Sequence, residues 1–333
     1  MKENKSKYKI KLIAVYIGNL PEYFPLWLKS CEKNPSINFL VVTDQKKPEN
    51  TPSNVEFLKT NLNQLKNRFE KELGFTVALE SAYKLCDFRP VYGSAFKEKL
   101  KGYDFWGHCD IDLIWGDIRG YITDEILERY SKIGGVGHFT IYRNTIENNY
   151  SFKLEGGTFD YKEVLMNPYN YAFDEMTGMN MIYKKNNMMV YDEKNYADIS
   201  PSRKRICLYS DNYKYQQFYW EKGKCYRAYL NNEEVISKEY MYIHFQQKKL
   251  KLFINDIEQI QSFVINQEGF KEKTIGIPNI EEIIKNSNYK NKKHDNIEKL
   301  KYRVNKIVKF MYKSLPEKKI QVKQKISLKI NSR

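Results

Sequence analysis

The stretch DFWGHCDIDLIWGD, residues 104 to 117, sets Asp110 and Asp112 one residue apart within a run of aromatic and aliphatic side chains. Side chains alternate along a strand, so an extended 104–112 segment puts His108, Asp110 and Asp112 on one face and Cys109 and Ile111 on the other. Two close carboxylates repel one another unless one is protonated or a cation lies between them. A Mg²⁺ or Mn²⁺ ion bound by one or two carboxylates, with phosphate oxygens and water filling its other positions, is a common way to hold a diphosphate. The pair therefore predicts a metal-diphosphate site. The alternative is a strand-end turn whose two aspartates bond backbone amides.

Carboxylates in that role must stand at the edge of a core, and the chain supplies one. KIKLIAVYI, residues 9 to 17, reads as a first strand ending at Gly18 and Asn19; PEYFPLWLKSCEKN is helical in pattern; INFLVVTD reads as a second buried strand. Strand, helix and strand in this order predict a parallel α/β sheet. A weak strand around Val55 to Leu58, a helix from about Leu62 to Leu73, and the segment SAYKLCDFRPVYGSAFKEKL, helical on either side of Pro90, lead into the aspartate run. Ligands of open α/β sheets gather beyond the carboxyl ends of the strands. Those ends are Tyr16 to Asn19, Thr43 to Asp44, and Asp110 to Asp112.

Farther along, HFTIYRN is a strand, NYAFDEMTGMNMIYKK has helical spacing, CLYSDNYKYQQFYW and KCYRAYL form a β-rich pair, and MYIHF is a short strand. The expected organisation is a catalytic body over residues 1–284 and a separate tail over 285–333. The net charge of +15 is unevenly spread, since the tail holds 16 Lys or Arg against 3 Asp or Glu, leaving 40 against 38 in the body. A near-neutral body argues against nucleic acid as a partner, which requires a continuous basic surface. In the tail, Ile297, Leu300, Val304, Ile307 and Met311 recur at steps of three and four with basic residues between. That pattern predicts a basic amphipathic helix, suited either to an anionic membrane surface or to packing on the body.

Five cysteines without a CxxC pair predict buried free thiols in a reducing compartment. The amino-terminal apolar run leads to no small-residue cleavage site, and no stretch approaches the ~20 apolar residues of a membrane helix. The expected location is the cytoplasm, peripheral at the inner face of the membrane.

The order of a strand ending in a loop, a second strand ending TD, a helix carrying YKLCDFRP and a strand ending DID resembles the GT-A glycosyltransferases. The resemblance implies a Rossmann-like, mixed but mainly parallel sheet flanked by helices, here followed by a basic helical tail. It also implies a nucleotide-diphosphate sugar as donor. In many members a helix bearing an Asp and an Arg precedes the D-x-D and contacts the nucleotide; Asp87 and Arg89 stand in that place, at a closer spacing than usual. YKLCDFRPVYG, GYDFWGHCDID, AFDE and MYIHFQQKK together are similar to a family of bacterial proteins from surface-polysaccharide gene clusters, over roughly residues 9 to 250. That likeness implies a surface glycan or lipid-linked acceptor.

MYIHFQQKKL also resembles the late H-F-x-G-x-x-K-P-W motif of glycogenin-like transferases, whose His completes the metal site and whose Lys meets the diphosphate. His244 and Phe245 match, the Gly and Pro-Trp are missing, and the lysines fall at 248 and 249. The likeness implies a metal site of Asp110, Asp112 and His244, ranked above His108, with Lys248 on the diphosphate. The other reading of His244 is a core histidine with a satisfied hydrogen bond.

Glycosyl transfer further requires a group to take the acceptor's proton. AFDE offers Asp174 and Glu175, in a segment where similar transferases place an acidic residue; either could instead complement a helix dipole. At the strand ends, Tyr16 and Asn19 are candidates for the base and Asp44 for the ribose or base, while Lys84 is a candidate for phosphate. Each has a plainer reading, with Tyr16 in the core, Asp44 as a cap and Lys84 solvated. A metal-dependent phosphoesterase or nuclease using Asp110, Asp112 and His244, and a non-catalytic glycan- or membrane-binding protein, are the competing functions.

Overall fold

The computed structural model describes residues 6–246 and 248–331. Its first half alternates strands and helices. β1 (Ile10–Tyr16), β2 (Ile37–Thr43), β3 (Val55–Lys59) and β4 (Phe105–Cys109) run parallel, with Ile10 opposite both Ile37 and Phe105. The helix between β1 and β2, Phe24–Glu32, starts with a proline in its first turn, where no amide bond is lost. The helix Leu62–Leu73 is bracketed by its own sequence. Asn61 and Gln64 exchange side-chain to backbone bonds at its start, and Gly74, at φ 78°, closes its end.

After β4 the chain leaves this sheet for β5 (Leu113–Trp115), then returns with β6 (Lys132–Val136), β7 (Phe139–Arg143) and β8 (Val190–Tyr191). The seven-stranded sheet has the order β3-β2-β1-β4-β7-β6-β8, with β7 antiparallel to β4. This is the mixed, mainly parallel sheet flanked by helices that the sequence predicts. Alternation along β1 feeds both faces. Ile10, Leu12 and Ala14 join the cluster around Trp27, Phe39 and Trp115, while Ile13 joins the one around Phe69, Phe88 and Trp106.

β9 (Ala197–Asp198), β10 (Gln216–Glu221), β11 (Lys224–Asn231), β12 (Glu234–Tyr240), β13 (Tyr242–His244), β14 (Lys251–Leu252), β15 (Ser262–Ile265) and β16 (Gly269–Glu272) complete the strands. Six of them form a second sheet, β12-β11-β10-β15-β16-β14, over a core built on Phe218, Trp220 and Phe263. The remaining two, β9 and β13, join β5 in a three-stranded sheet, β5-β13-β9. That small sheet is the seam between the two larger ones, and Trp220 Nε1 donates across it to the Trp115 carbonyl at 2.9 Å.

The helix Ile280–Ser287 spans the expected boundary at 284, and the tail beyond it is two helices, Lys292–Met311 and Leu315–Asn331. Both touch the body. Asp295 in the first pairs with Arg205 at 2.9 Å, and Ile320 in the second is buried in the cluster that holds Tyr171 and Phe173. No helix among the described residues is long and apolar enough to cross a membrane.

Candidate metal and donor site

β4 ends at Cys109, and Ile111–Asp112 is a bend, so the extended run expected through residue 112 stops short. Cys109 and Ile111 still join one cluster, while His108 and Asp110 both lie toward Arg89. His108 is fully buried, and burial, then Arg89 and Lys132, hold it well below the usual imidazole range. A neutral core histidine results.

Asp110 and Asp112 stand on the crossing from the seven-stranded sheet to the seam. The Asp110 amide donates to the His138 carbonyl at 3.0 Å, tying it to the β6–β7 turn. The Asp112 carbonyl accepts from Phe245 N at 2.8 Å, tying it to β13. Register then delivers the histidine. In β13, His244 lies opposite Leu113 of β5 on one side and Asp198 of β9 on the other. Its Nε2 is 3.3 Å from Asp112 Oδ1 and its Nδ1 2.9 Å from Asp198 Oδ1. The His138 ring stacks on it at 4.0 Å, and His138 Nδ1 is itself bonded to the Tyr242 hydroxyl at 3.1 Å. Burial alone would lower the His244 pKa; the bonds to Asp112 and Asp198 outweigh it and raise it to about 10.

Asp110, Asp112 and His244 each offer one ligand atom, all within 4.8 Å of one another. Two carboxylates and an imidazole whose far nitrogen is held by a third carboxylate are a donor set that suits a divalent cation. The three residues expected as ligands therefore come together. Asp198 and His138, which hold the histidine in place, went unnoticed in the sequence. Nothing local marks them, because their role comes from the β9–β13 register and the β6–β7 turn.

A second group adjoins the first. The Arg89 guanidinium pairs with Asp110 through Nη2 and with Asp174 Oδ2 through Nη1 at 2.6 Å. Asp174 is 1% exposed, and burial pushes its carboxyl up to about 7 against the opposing pull of Arg89. Glu175, next in the chain, is exposed. Both precede the helix Met179–Lys185 and lie in a turn, so the helical segment expected over AFDE begins later. Gly137 backs onto this group. A Cβ there would stand 2.6 Å from Asp174 Oδ2, 2.8 Å from Glu175 Oε1 and 2.9 Å from Arg89 Nη1.

Asp87 and Lys84 occupy a different place from the donor contacts expected of them. Lys84 is 1% and Asp87 0% exposed, and they pair at 2.8 Å. Lys84 Nζ also donates to the carbonyls of Val164 and Tyr169, while Asp87 accepts from the amides of Tyr171 and Phe173, both at 2.9 Å. A buried charge pair with its hydrogen bonds filled by backbone holds a loop in shape and has no capacity left for phosphate. The loop it holds carries Asp174. Lys248 is turned toward the Arg203 carbonyl, at 2.5 Å.

At the strand ends, Tyr16 is half-buried near Asp112; burial, then that charge, raise its pKa. Asp44 accepts from the Gly18 amide at 3.0 Å and from Gln45, bonds that lower its pKa and tie the loop after β1 to the end of β2. Asn19, in the same loop, is exposed. Tyr16, Asn19 and Asp44 thus line the carboxyl edge of β1 and β2, as expected of residues at strand ends.

The profile of a family of unknown function, DUF6625, matches residues 12–274. No curated protein matches the chain. Among solved structures, galactosyltransferase LgtC in complex with donor and acceptor sugar analogs is 13% identical, with a TM-score of 0.35 over 58% of this chain and 76% of that one. Mouse xyloside xylosyltransferase 1 in its apo form is 9% identical, with a TM-score of 0.37 over 58% of this chain and 88% of that one. Glycosyltransferase GlyE of Streptococcus pneumoniae TIGR4 is 11% identical, with a TM-score of 0.31 over 56% of this chain and 46% of that one.

Proposed function

We propose that this chain, which belongs to the DUF6625 family of unknown function, is a metal-dependent glycosyltransferase of the GT-A type. It would move a hexose from a nucleotide-diphosphate sugar to a surface glycan or lipid-linked acceptor. The observation that carries the reading is the convergence of Asp110, Asp112 and His244 within 4.8 Å where the parallel sheet meets the seam. In an open α/β sheet the crevice at the carboxyl edge is where a nucleotide binds.

Asp110, Asp112 and His244 would hold Mn²⁺ or Mg²⁺, which offsets the negative charge that grows on a departing diphosphate. Tyr16, Asn19 and Asp44 would meet the nucleoside. Arg89, fixed by Asp174, would hold Asp110 in its ligating position. During transfer, the bond from the sugar's anomeric carbon to the diphosphate breaks with its electron pair going to the phosphate oxygen. The acceptor oxygen forms the new bond and gives up its proton. Glu175, exposed beside the buried Asp174–Arg89 pair, suits the role of proton acceptor in an inverting reaction.

A cytoplasmic enzyme held at the inner face of the membrane fits the tail. On the helix Lys292–Met311, Ile297, Leu300, Val304, Ile307 and Met311 are all exposed, with Lys299, Lys301, Arg303, Lys306 and Lys309 interspersed. Exposed apolar residues set among cations match an anionic lipid surface.

The test is the melting temperature with uridine or guanosine diphosphate. A rise in Mn²⁺ that vanishes in EDTA, and that Asp112→Asn abolishes, is expected. No shift with any nucleoside diphosphate would overturn the transferase.

A further inference from the structure

An amphipathic helix on a globular body ordinarily buries its apolar stripe. The helix Leu315–Asn331 does the reverse over most of its length. Val322, Ile326 and Ile330 are 49%, 54% and 67% exposed, while Glu317, Gln321, Gln324 and Ser327 are sheltered. Apart from the buried Ile320, contacts to the body come from that polar face. Gln324 Nε2 donates to the Tyr171 carbonyl and, at 3.2 Å, to Thr177 Oγ1, and Ser327 Oγ accepts from Thr158 Oγ1 at 2.8 Å. A helix that turns its polar side chains inward is building a polar wall, and there is a cavity for that wall to enclose.

The cavity, of about 350 Å³, lies between this helix and the 168–172 loop, with Tyr83, Tyr169, Asn170, Glu317 and Gln321 among its lining. Its volume is near the lower end of small-molecule sites, roughly 300–1,000 Å³, which suits one or two sugar rings better than a whole nucleotide sugar. The charge in it is balanced. Of the charged groups that line it, Lys84 is committed to Asp87 and two carbonyls, leaving Lys313 and Glu317 to offset each other. Tyrosine faces and side-chain amides with no fixed net charge recognise a neutral polyhydroxylated ring, apolar on its face and hydrogen-bonding at its rim.

Its position relative to the carboxylates is fixed by the backbone. Ala172, at φ 47°, turns the chain between the cavity and Asp174, and Asp87 holds the amides on either side of that turn. Tyr83 lines the cavity together with Ala172. That tyrosine is largely exposed, and burial, then the charges of Cys86, Glu175 and Asp174, raise its pKa.

We infer that this cleft is the acceptor-sugar subsite, so that the basic tail that would meet a membrane also supplies one wall of the place where a lipid-linked sugar docks. The inference rests on the transferase reading for the word acceptor, but the binding of a neutral sugar can be tested without it. Saturation-transfer NMR on the full chain, in EDTA and without nucleotide, would use methyl α-glucoside, methyl β-galactoside and methyl N-acetyl-β-glucosaminide as probes. At least one should bind. Tyr83→Ala and Gln321→Ala, each at a side chain not needed for the core, should weaken it at least tenfold and keep the Mn²⁺-dependent nucleotide shift. Sugar binding without any nucleotide shift would uphold the cleft and remove the transferase. If no probe binds, or if both variants bind like the natural chain, the subsite is wrong.

Discussion

Arg89 Nη1 lies 2.6 Å from Asp174 Oδ2 while Nη2 of the same guanidinium holds Asp110, so one side chain couples the proposed metal site to the proposed acceptor side. Removing one partner of a buried ion pair strands the other. Arg89→Leu should cost about 3–5 kcal/mol of stability in a denaturant titration, because Asp174 is left buried without a counter-charge. Arg89→Lys should fall between, since an ammonium cannot span both carboxylates as a planar fork does.

Gly137→Ala tests the same group by shape alone. Its Cβ would enter a space already within 2.6 Å of Asp174 Oδ2 and 2.9 Å of Arg89 Nη1. Overpacking of this kind costs about 1–3 kcal/mol. Transfer activity should fall with it, while Mn²⁺ affinity changes less than in Asp112→Asn.

As a ligand of the proposed cation site, His244 would make binding depend on pH. With its pKa raised to about 10 by Asp112 and Asp198, the imidazole is charged in the metal-free protein at neutral pH. The stability this contributes is fully present below the ordinary imidazole value of about 6.5 and is lost as pH rises through the folded value. A cation needs the neutral ring, so each ion bound displaces a proton. Apparent Mn²⁺ affinity should therefore climb about tenfold per pH unit between pH 7 and 8.5, read by calorimetry in buffers of different ionisation enthalpy. A flat profile would mean that His244 is not a ligand.

Asp198 acts through that histidine. Residues that orient a ligating imidazole typically contribute about 10–100-fold in metal affinity. Asp198→Ala should weaken Mn²⁺ by that factor and, because it removes one of the two partners that hold His244 charged, also lower the melting temperature of the metal-free chain at neutral pH. Asp198→Asn, which still accepts the Nδ1 proton, should recover part of the loss.

For the membrane, a double variant Val304→Asp and Ile307→Asp alters two exposed positions and leaves the body contacts of the tail intact. Flotation with vesicles containing phosphatidylglycerol should lose the protein, with nucleotide-dependent melting unchanged. Equal flotation of the variant, or equal binding to pure phosphatidylcholine, would sink the lipid reading.

The sheet and its edge were legible because buried strands announce themselves as short apolar runs bounded by breakers. Ile10–Tyr16, Ile37–Thr43 and Phe105–Cys109 all have that form. Asp110, Asp112 and His244 could be joined in advance through their flanking motifs. What could not be read was where long-range register sends a side chain. Lys84 reads as a phosphate contact or a solvated charge and Asp87 as a nucleotide contact, yet both are satisfied by backbone groups some 80 positions later. Asp198 owes its place to a two-residue strand beside β13. The polar residues of the last helix carried the opposite meaning from the usual one, since its hydrophobic pattern does not say which face meets the body.

The seam sheet also bears on how the chain reaches its final state. Its three strands come from widely separated parts of the sequence, and contacts of that kind close large loops and tend to form late. A nascent chain ending before β13 has both aspartates but lacks His244. Affinity at the proposed cation site would thus be acquired when the seam closes, and an added ion would favour the finished fold by mass action while doing little for the earlier steps.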